Sequence, residues 1–300
     1  MAFFSAASKA DFQQQLQTAL AQHVDPQILP QLSVFAEQFF GIVALTELTE
    51  RRMGDLVGST LASWRLLERF DPAMPEVQVF NPDYEKHGWQ STHSVVEVLH
   101  PDMPFLVDSM RMELTRRGYS IHTLQTSVLQ VRRSADGALL ELLPKDQRAP
   151  DSHAESLIFV EIDRCASAAA LRELEQSLLG VLADVRQVVG DFAAMKGKVG
   201  DLQARLDQVN LRIDADELDE IRDFMRWLAD DHFTFLGYEE FSVVEQGDGG
   251  RIAYDESSLL GLSRSMRTGL SDEEQSLTSQ SVSYLREPLL LSFAKAAMPS

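Results

Sequence analysis

The chain has 300 residues, 44% of them hydrophobic, with 46 acidic against 27 basic side chains and a formal charge of −19. This length and apolar content suit two domains rather than one, and the summed negative field excludes nucleic acid and anionic membrane surfaces as partners. One cysteine, Cys165, excludes an intrachain disulfide and fits a reducing cytoplasm, and no run approaches the roughly 18 apolar residues of a membrane span.

The amino-terminal spacing predicts helices. Ser8 caps a helix running to Val24, Asp25-Pro26 begins a second, and a third follows Thr46 to Phe70 with a break at Gly54 or Gly58. Leu61, Trp64 and Leu67 to Phe70 supply an apolar stripe that must pack on something. Asp71-Pro72, Pro75 and Asn81-Pro82-Asp83 then read as a turn-rich stretch that closes a helical portion at residues 1–88.

From Ser91 the period becomes that of strands. Val95 to Leu99 is the first; Pro104 opens a helix whose Leu106, Val107, Met110 and Leu114 share a face, ended by Gly118 as a left-handed cap. Tyr119 to Val131 is a second strand, Ser134 to Gly137 a turn, Leu139 to Leu143 a short hairpin partner, and Leu157 to Ile162 another strand. A helix from Ser167 carries Leu171, Leu174, Leu178, Leu182 and Val185 along one side. A last strand at Val185 to Val189 would complete a ferredoxin-like βαββαβ unit over residues 89–190, although Val185 also continues the helical stripe. The expected class is α+β. Strands Val95 to Leu99 and Leu157 to Ile162 are apolar on both faces, whereas two helices cover only one; the other calls for the amino-terminal helices or a second subunit.

Helices at Met195 to Gln208 and Asp216 to Ala229 make a connector at residues 191–231. A strand from His232 to Val244, a turn at Gly247 to Gly250 and a partner at Arg251 to Tyr254 open a second sheet domain over residues 232–300, with too few residues to close it. The chain therefore reads as a truncated segment of a longer protein.

Catalytic chemistry is sparse. Gly247-Asp248-Gly249 has Ile252 where a third Gly belongs and is followed by strand, so it reads as a hairpin turn rather than a dinucleotide cradle. Gly261-Leu262-Ser263-Arg264-Ser265 lacks the second Gly of a nucleophile elbow and reads as helix surface. His93 and His100 stand an odd number of residues apart along a strand, on opposite faces, so His87, His93 and His100 do not form a metal site. Asp230-Asp231, Glu239-Glu240 and Glu273-Glu274 read as solvated faces, and Cys165 as a bland thiol with no His or Lys within three residues of it in sequence.

One turn remains, His100-Pro101-Asp102-Met103-Pro104-Phe105-Leu106-Val107, and it is similar to the Asp-x-Pro-Gly-Leu-Leu turn of ACT domains, modules that sense amino acids. Together with Asn81 to Glu85, Gly88-Trp89-Gln90-Ser91-Thr92-His93, Pro104 to Ser109, Arg117-Gly118-Tyr119 and His232-Phe233-Thr234-Phe235-Leu236-Gly237-Tyr238, it makes the whole chain resemble the amino-terminal region of the large bacterial NAD-specific glutamate dehydrogenases. The resemblance implies an ACT-like domain, the start of a second one, and a parent enzyme that deaminates L-glutamate with NAD through a catalytic domain beyond Ser300. It implies no catalytic, cofactor-binding or metal residue in this segment, which has no Lys in the setting of that family's catalytic lysines. Partners would be other domains of the same chain, identical subunits and an amino-acid effector. The alternatives are a stand-alone amino-acid-sensing ACT module and a purely structural oligomerisation scaffold.

For Asp102, Met103, Pro104 and Phe105 two readings stay open. By resemblance the turn holds an amino-acid ligand, with Phe105 standing where the family pattern often has Gly. On residue chemistry, Asp102 caps a helix beginning near Met103-Pro104 and Phe105 packs in the core.

Overall fold

The computed structural model describes residues 4–208, 214–246, 249–266 and 276–277. The chain divides into two compact units, Met1–Ala183 and Asp184–Ser300. The α+β class is as expected.

The first unit opens with α1 (Lys9–Leu20), α2 (Leu29–Phe39), α3 (Leu45–Thr49) and α4 (Met53–Glu68). Ser8 caps α1 by accepting from the Asp11 N–H at 3.1 Å. Asp25 does not start a helix: its carboxylate accepts from the Gln27 N–H in a turn, and Pro30 occupies the first turn of α2 instead. The expected break at Gly54 or Gly58 falls earlier, between α3 and α4, and both glycines lie inside α4. Gly58 is required there by packing, since a Cβ would overlap the buried Trp89 side chain.

Next come β1 (Glu76–Phe80), α5 (Tyr84–His87), β2 (Ser94–Pro101), α6 (Leu106–Arg116), β3 (Ile121–Arg133), β4 (Leu139–Leu142), β5 (His153–Ile162) and α7 (Ala168–Gln208). The five strands form one sheet in the order β1-β2-β5-β3-β4. The fourth strand expected at Val185 to Val189 does not form, because those residues lie within the single 41-residue helix α7. The edge beside β2 is taken by β1, antiparallel to it with Val77 opposite Val98. Its alternation of Val77 and Val79, both buried, with Gln78 was the strand signal; the flanking prolines masked it.

Helices α1, α2 and α4 lie on one face of the sheet. Phe35, Phe39, Trp64 and Leu67 share a core with Val95, Leu99, Leu129, Val131, Leu157 and Phe159, and the Phe39 and Phe159 rings meet edge to face at 5.6 Å. The second apolar face is thus covered from within the chain. The alternate residues Val96, Val98, Ile158, Val160 and Ile162 are equally buried. On their side α6 contacts β3, and Glu175 of α7 accepts from the Val79 N–H. Helix α6 ends in a paired cap: Gly118 at φ +82° donates to Thr115 and Tyr119 donates to Leu114.

The second unit holds the rest of α7, α8 (Ala215–Trp227), a π-helical turn at Leu228–His232, β6 (Gly237–Gln246), β7 (Gly249–Gly261), α9 (Ser263–Met266) and β8 (Ser276–Leu277). The helices expected at Met195 to Gln208 and Asp216 to Ala229 are the end of α7 and α8. Strand β6 starts later than His232, because the chain first turns at Asp231, φ +60°. The hairpin of β6 and β7 is as expected, with Gln246 opposite Gly249; residues 247 and 248 lie outside the described residues. Of the three carboxylate pairs, Glu273-Glu274 also lies outside them.

Candidate functional site

The ACT-type turn connects β2 to α6, and its geometry contradicts the structural reading from residue chemistry. Asp102 caps nothing. Its carboxylate accepts from the Ser156 hydroxyl of β5 at 2.7 Å, and its N–H donates to Ala154. The helix begins at Leu106 rather than near Met103-Pro104, and Phe105 occupies its N-cap position at φ +72°. Phe105 is 47% exposed, not core. A left-handed conformation costs a residue with a Cβ roughly 1–2 kcal/mol and costs Gly nothing, which is the physical reason for a Gly in the similar turns. Asp102, Pro104 and Phe105 are exposed and Met103 half-buried, so the turn presents one carboxylate and one aromatic ring to solvent.

Behind the turn, the helix-facing side of the sheet carries three buried carboxylates. Glu155 is clamped by Arg133 through two contacts of 2.7 Å, the pair being 0% and 3% exposed, with the guanidinium over the Phe70 ring. Glu161 accepts from Arg51 at 2.6 Å and from the Ser91 hydroxyl at 3.2 Å. Among the described residues, no cation pairs with Glu97. It is 1% exposed and accepts from the Ser63 hydroxyl at 2.5 Å, and burial, offset in part by that bond, pushes it up to about 7. On α6, burial raises Glu113, but bonds from Arg116, Ser177 and Arg117 together outweigh it and hold that carboxyl down to about 2.

A cavity of about 900 Å³ opens at the other end of the sheet. It is bounded by the α3 to α4 junction with Glu50, Arg51 and Arg52, by the loop Trp89 to His93, by His122 and Thr123 at the start of β3, and by Glu161 and Arg164 at the end of β5. Arg51 bridges the wall by donating to Thr123 at 3.0 Å as well as to Glu161. Arg164 donates to the Ser91 carbonyl at 2.9 Å. The His93 and His122 rings meet at 4.1 Å, and His122 is fixed by Asp163 at 2.8 Å.

His87, His93 and His100 are not brought together. His87 accepts the Asp83 N–H, His93 faces His122, and His100 is buried in β2 with Nδ1 2.8 Å from the Pro101 carbonyl. Among the described residues, no group of three or more His, Cys, Asp or Glu side chains could hold a metal ion. Cys165 is buried, with the Tyr119 hydroxyl 3.5 Å from its sulfur. Ser263 and Ser265 lie on the short α9. Among the described residues, no helix is long and apolar enough to cross a membrane. The cleft residues Arg51, Arg52 and Arg164 escaped sequence reasoning because 113 positions separate the first from the last. The signals were the Asn81 to Glu85 and Gly88 to His93 motifs, both of which contribute to the wall.

Residues 35–178 match the family model described as glutamate dehydrogenase, ACT1 domain. An NAD-specific glutamate dehydrogenase of Pseudomonas aeruginosa is 63% identical over 300 residues, all of this chain and 18% of the relative. That of Halomonas elongata is 39% identical over 97% of the chain and 18% of the relative, and that of Mycobacterium tuberculosis 30% identical over 60% and 11%. The chain spans less than a fifth of the length of these relatives.

Proposed function

Since the chain belongs with the bacterial NAD-specific glutamate dehydrogenases as a segment carrying their ACT1 domain, we propose that it serves such an enzyme as a noncatalytic regulatory and assembly segment. The parent would convert L-glutamate, NAD and water to 2-oxoglutarate, ammonium and NADH in the cytoplasm, with NAD bound outside these residues. The carrying observation is 63% identity without loss of coverage over all 300 residues. No Gly-rich strand-to-helix turn of the dinucleotide-binding kind occurs in the sequence, which supports placing the chemistry elsewhere.

The regulatory role is assigned to the β2 to α6 turn. Asp102 is exposed, and with one oxygen held by Ser156 its carboxylate is oriented before any ligand arrives. It would receive the ammonium of an amino acid, with the exposed Phe105 ring beside it. Assembly would use identical subunits and the other domains of the parent.

Two assays test this. The 300-residue chain should neither reduce NAD with glutamate nor bind NAD in titration; saturable NAD binding would overturn the noncatalytic assignment. In the full-length parent, Asp102→Ala should remove the response to amino acids while thermal stability is kept. A parent that keeps its response with this substitution would leave the segment as a scaffold.

A further inference from the structure

Among the described residues, the five-stranded sheet ends in two edge strands, β1 and β4. The outer side of an edge strand presents backbone N–H and C=O groups with which a strand of another molecule can pair. Here helix side chains already hold such groups. On β4, the Gln31 amide of α2 bridges two residues: its Nε2 donates to the Leu140 carbonyl at 3.4 Å, and its Oε1 accepts from the Leu142 N–H at 3.2 Å. A residue of an added parallel strand would make that same pair of bonds, so the side chain stands in for a neighbouring strand. Leu142 donates outward to Gln31, whereas the next residue, Leu143, donates inward to Gln130 of β3. Gln38, about two turns further along α2, donates to the Leu143 carbonyl at 3.0 Å. On β1, the Glu175 carboxylate of α7 accepts from the Val79 N–H at 3.4 Å.

We propose that Gln31, Gln38 and Glu175 are edge guards, which close both sides of this sheet against a strand from a second copy of the chain. An incoming strand has to displace their bonds before forming its own, and a one-for-one exchange contributes no net hydrogen bonding to association. The strands themselves add to the effect. They are short, five residues in β1 and four in β4, with Pro75 and Pro82 close to the ends of one and Pro144 close to the end of the other. All three guards are half-buried, so they are held in place rather than sampling solvent. The inference goes beyond the assembly role by naming a route of association that the fold closes, which leaves subunit contacts of the first unit to its helix and loop surfaces. It holds whether or not the β2 to α6 turn takes a ligand.

Residue-resolved amide exchange and sedimentation of the 300-residue chain test the guards. In the wild type, the Leu142 and Val79 amides should be protected to the same extent at low and at high protein concentration. Gln31→Ala should speed exchange at Leu142, and Glu175→Ala at Val79, by about tenfold each. Glu175→Gln, whose amide oxygen still accepts, should keep most of the protection. The amides of Leu99 and Leu157, opposite each other on the central strands β2 and β5, should not change and so report an intact sheet. The variant carrying Gln31→Ala, Gln38→Ala and Glu175→Ala together should sediment as a larger species than the wild type at the same concentration. Exchange at Leu142 and Val79 indifferent to the substitutions would overturn the guards, as would a triple variant that sediments like the wild type. Wild-type protection at these two amides that grows with concentration would show the edges pairing between copies, the opposite of the proposal.

Discussion

Replacing Glu97 by Gln isolates the cost of a carboxylate enclosed between helices and sheet. Glu97 sits on β2 facing α4, accepting from the Ser63 hydroxyl, and its folded pKa of about 7 lies above the ordinary 4.5. A raised carboxyl pKa means that the native state holds the proton more tightly than the unfolded chain does. The associated stability is complete below pH 4.5 and is lost as pH rises toward and through 7. A displacement of about 2.5 pH units corresponds to roughly 3 kcal/mol, most of it already lost by pH 7. Gln is nearly isosteric, can accept from Ser63 and does not titrate, so the variant should gain about 3 kcal/mol on the wild type between pH 4.5 and 8. Urea unfolding of both proteins at several pH values, followed by the fluorescence of buried Trp64 and Trp89, measures that difference. Parallel stability curves across the range would show that Glu97 ionises in the fold without penalty, and the reasoning would fail.

Phe105→Gly should stabilise the chain by about 0.5 to 1 kcal/mol, the relief at φ +72° exceeding the chain entropy of glycine. Phe105→Ala, whose side chain is half exposed, should fall well short of the roughly 3–5 kcal/mol of a buried aromatic; thermal melts of the two variants decide. Gly58→Ala should destabilise by about 1–3 kcal/mol, because the new methyl meets the first side-chain atoms of Trp89, which cannot swing away; a neutral denaturation midpoint would contradict the packing. Arg133→Ala leaves the fully buried Glu155 without its clamp and should cost about 3–5 kcal/mol, read from the same unfolding curves.

What the sequence determined by itself was local. The Ser8 cap, the Gly118 stop, the turn at Ser134 to Gly137 and the periods of β2, β5 and α6 depend on residues within a turn or two of one another, and each formed as read. Motif order also placed the chain among its relatives, since order needs no folding to be seen. Tertiary structure decided where alternatives of similar local energy competed. Val185 to Val189 could extend a helix or start a strand, and once β1 had paired with β2 the sheet edge was taken and the helix ran on. Phe105 would avoid positive φ on its own; the path from β2 into α6 holds it there. The three buried carboxylates lie 22 to 110 residues from the partners Arg133, Ser63 and Arg51. Chain closure alone brings such groups together, and nothing in the spacing of a single sequence records it.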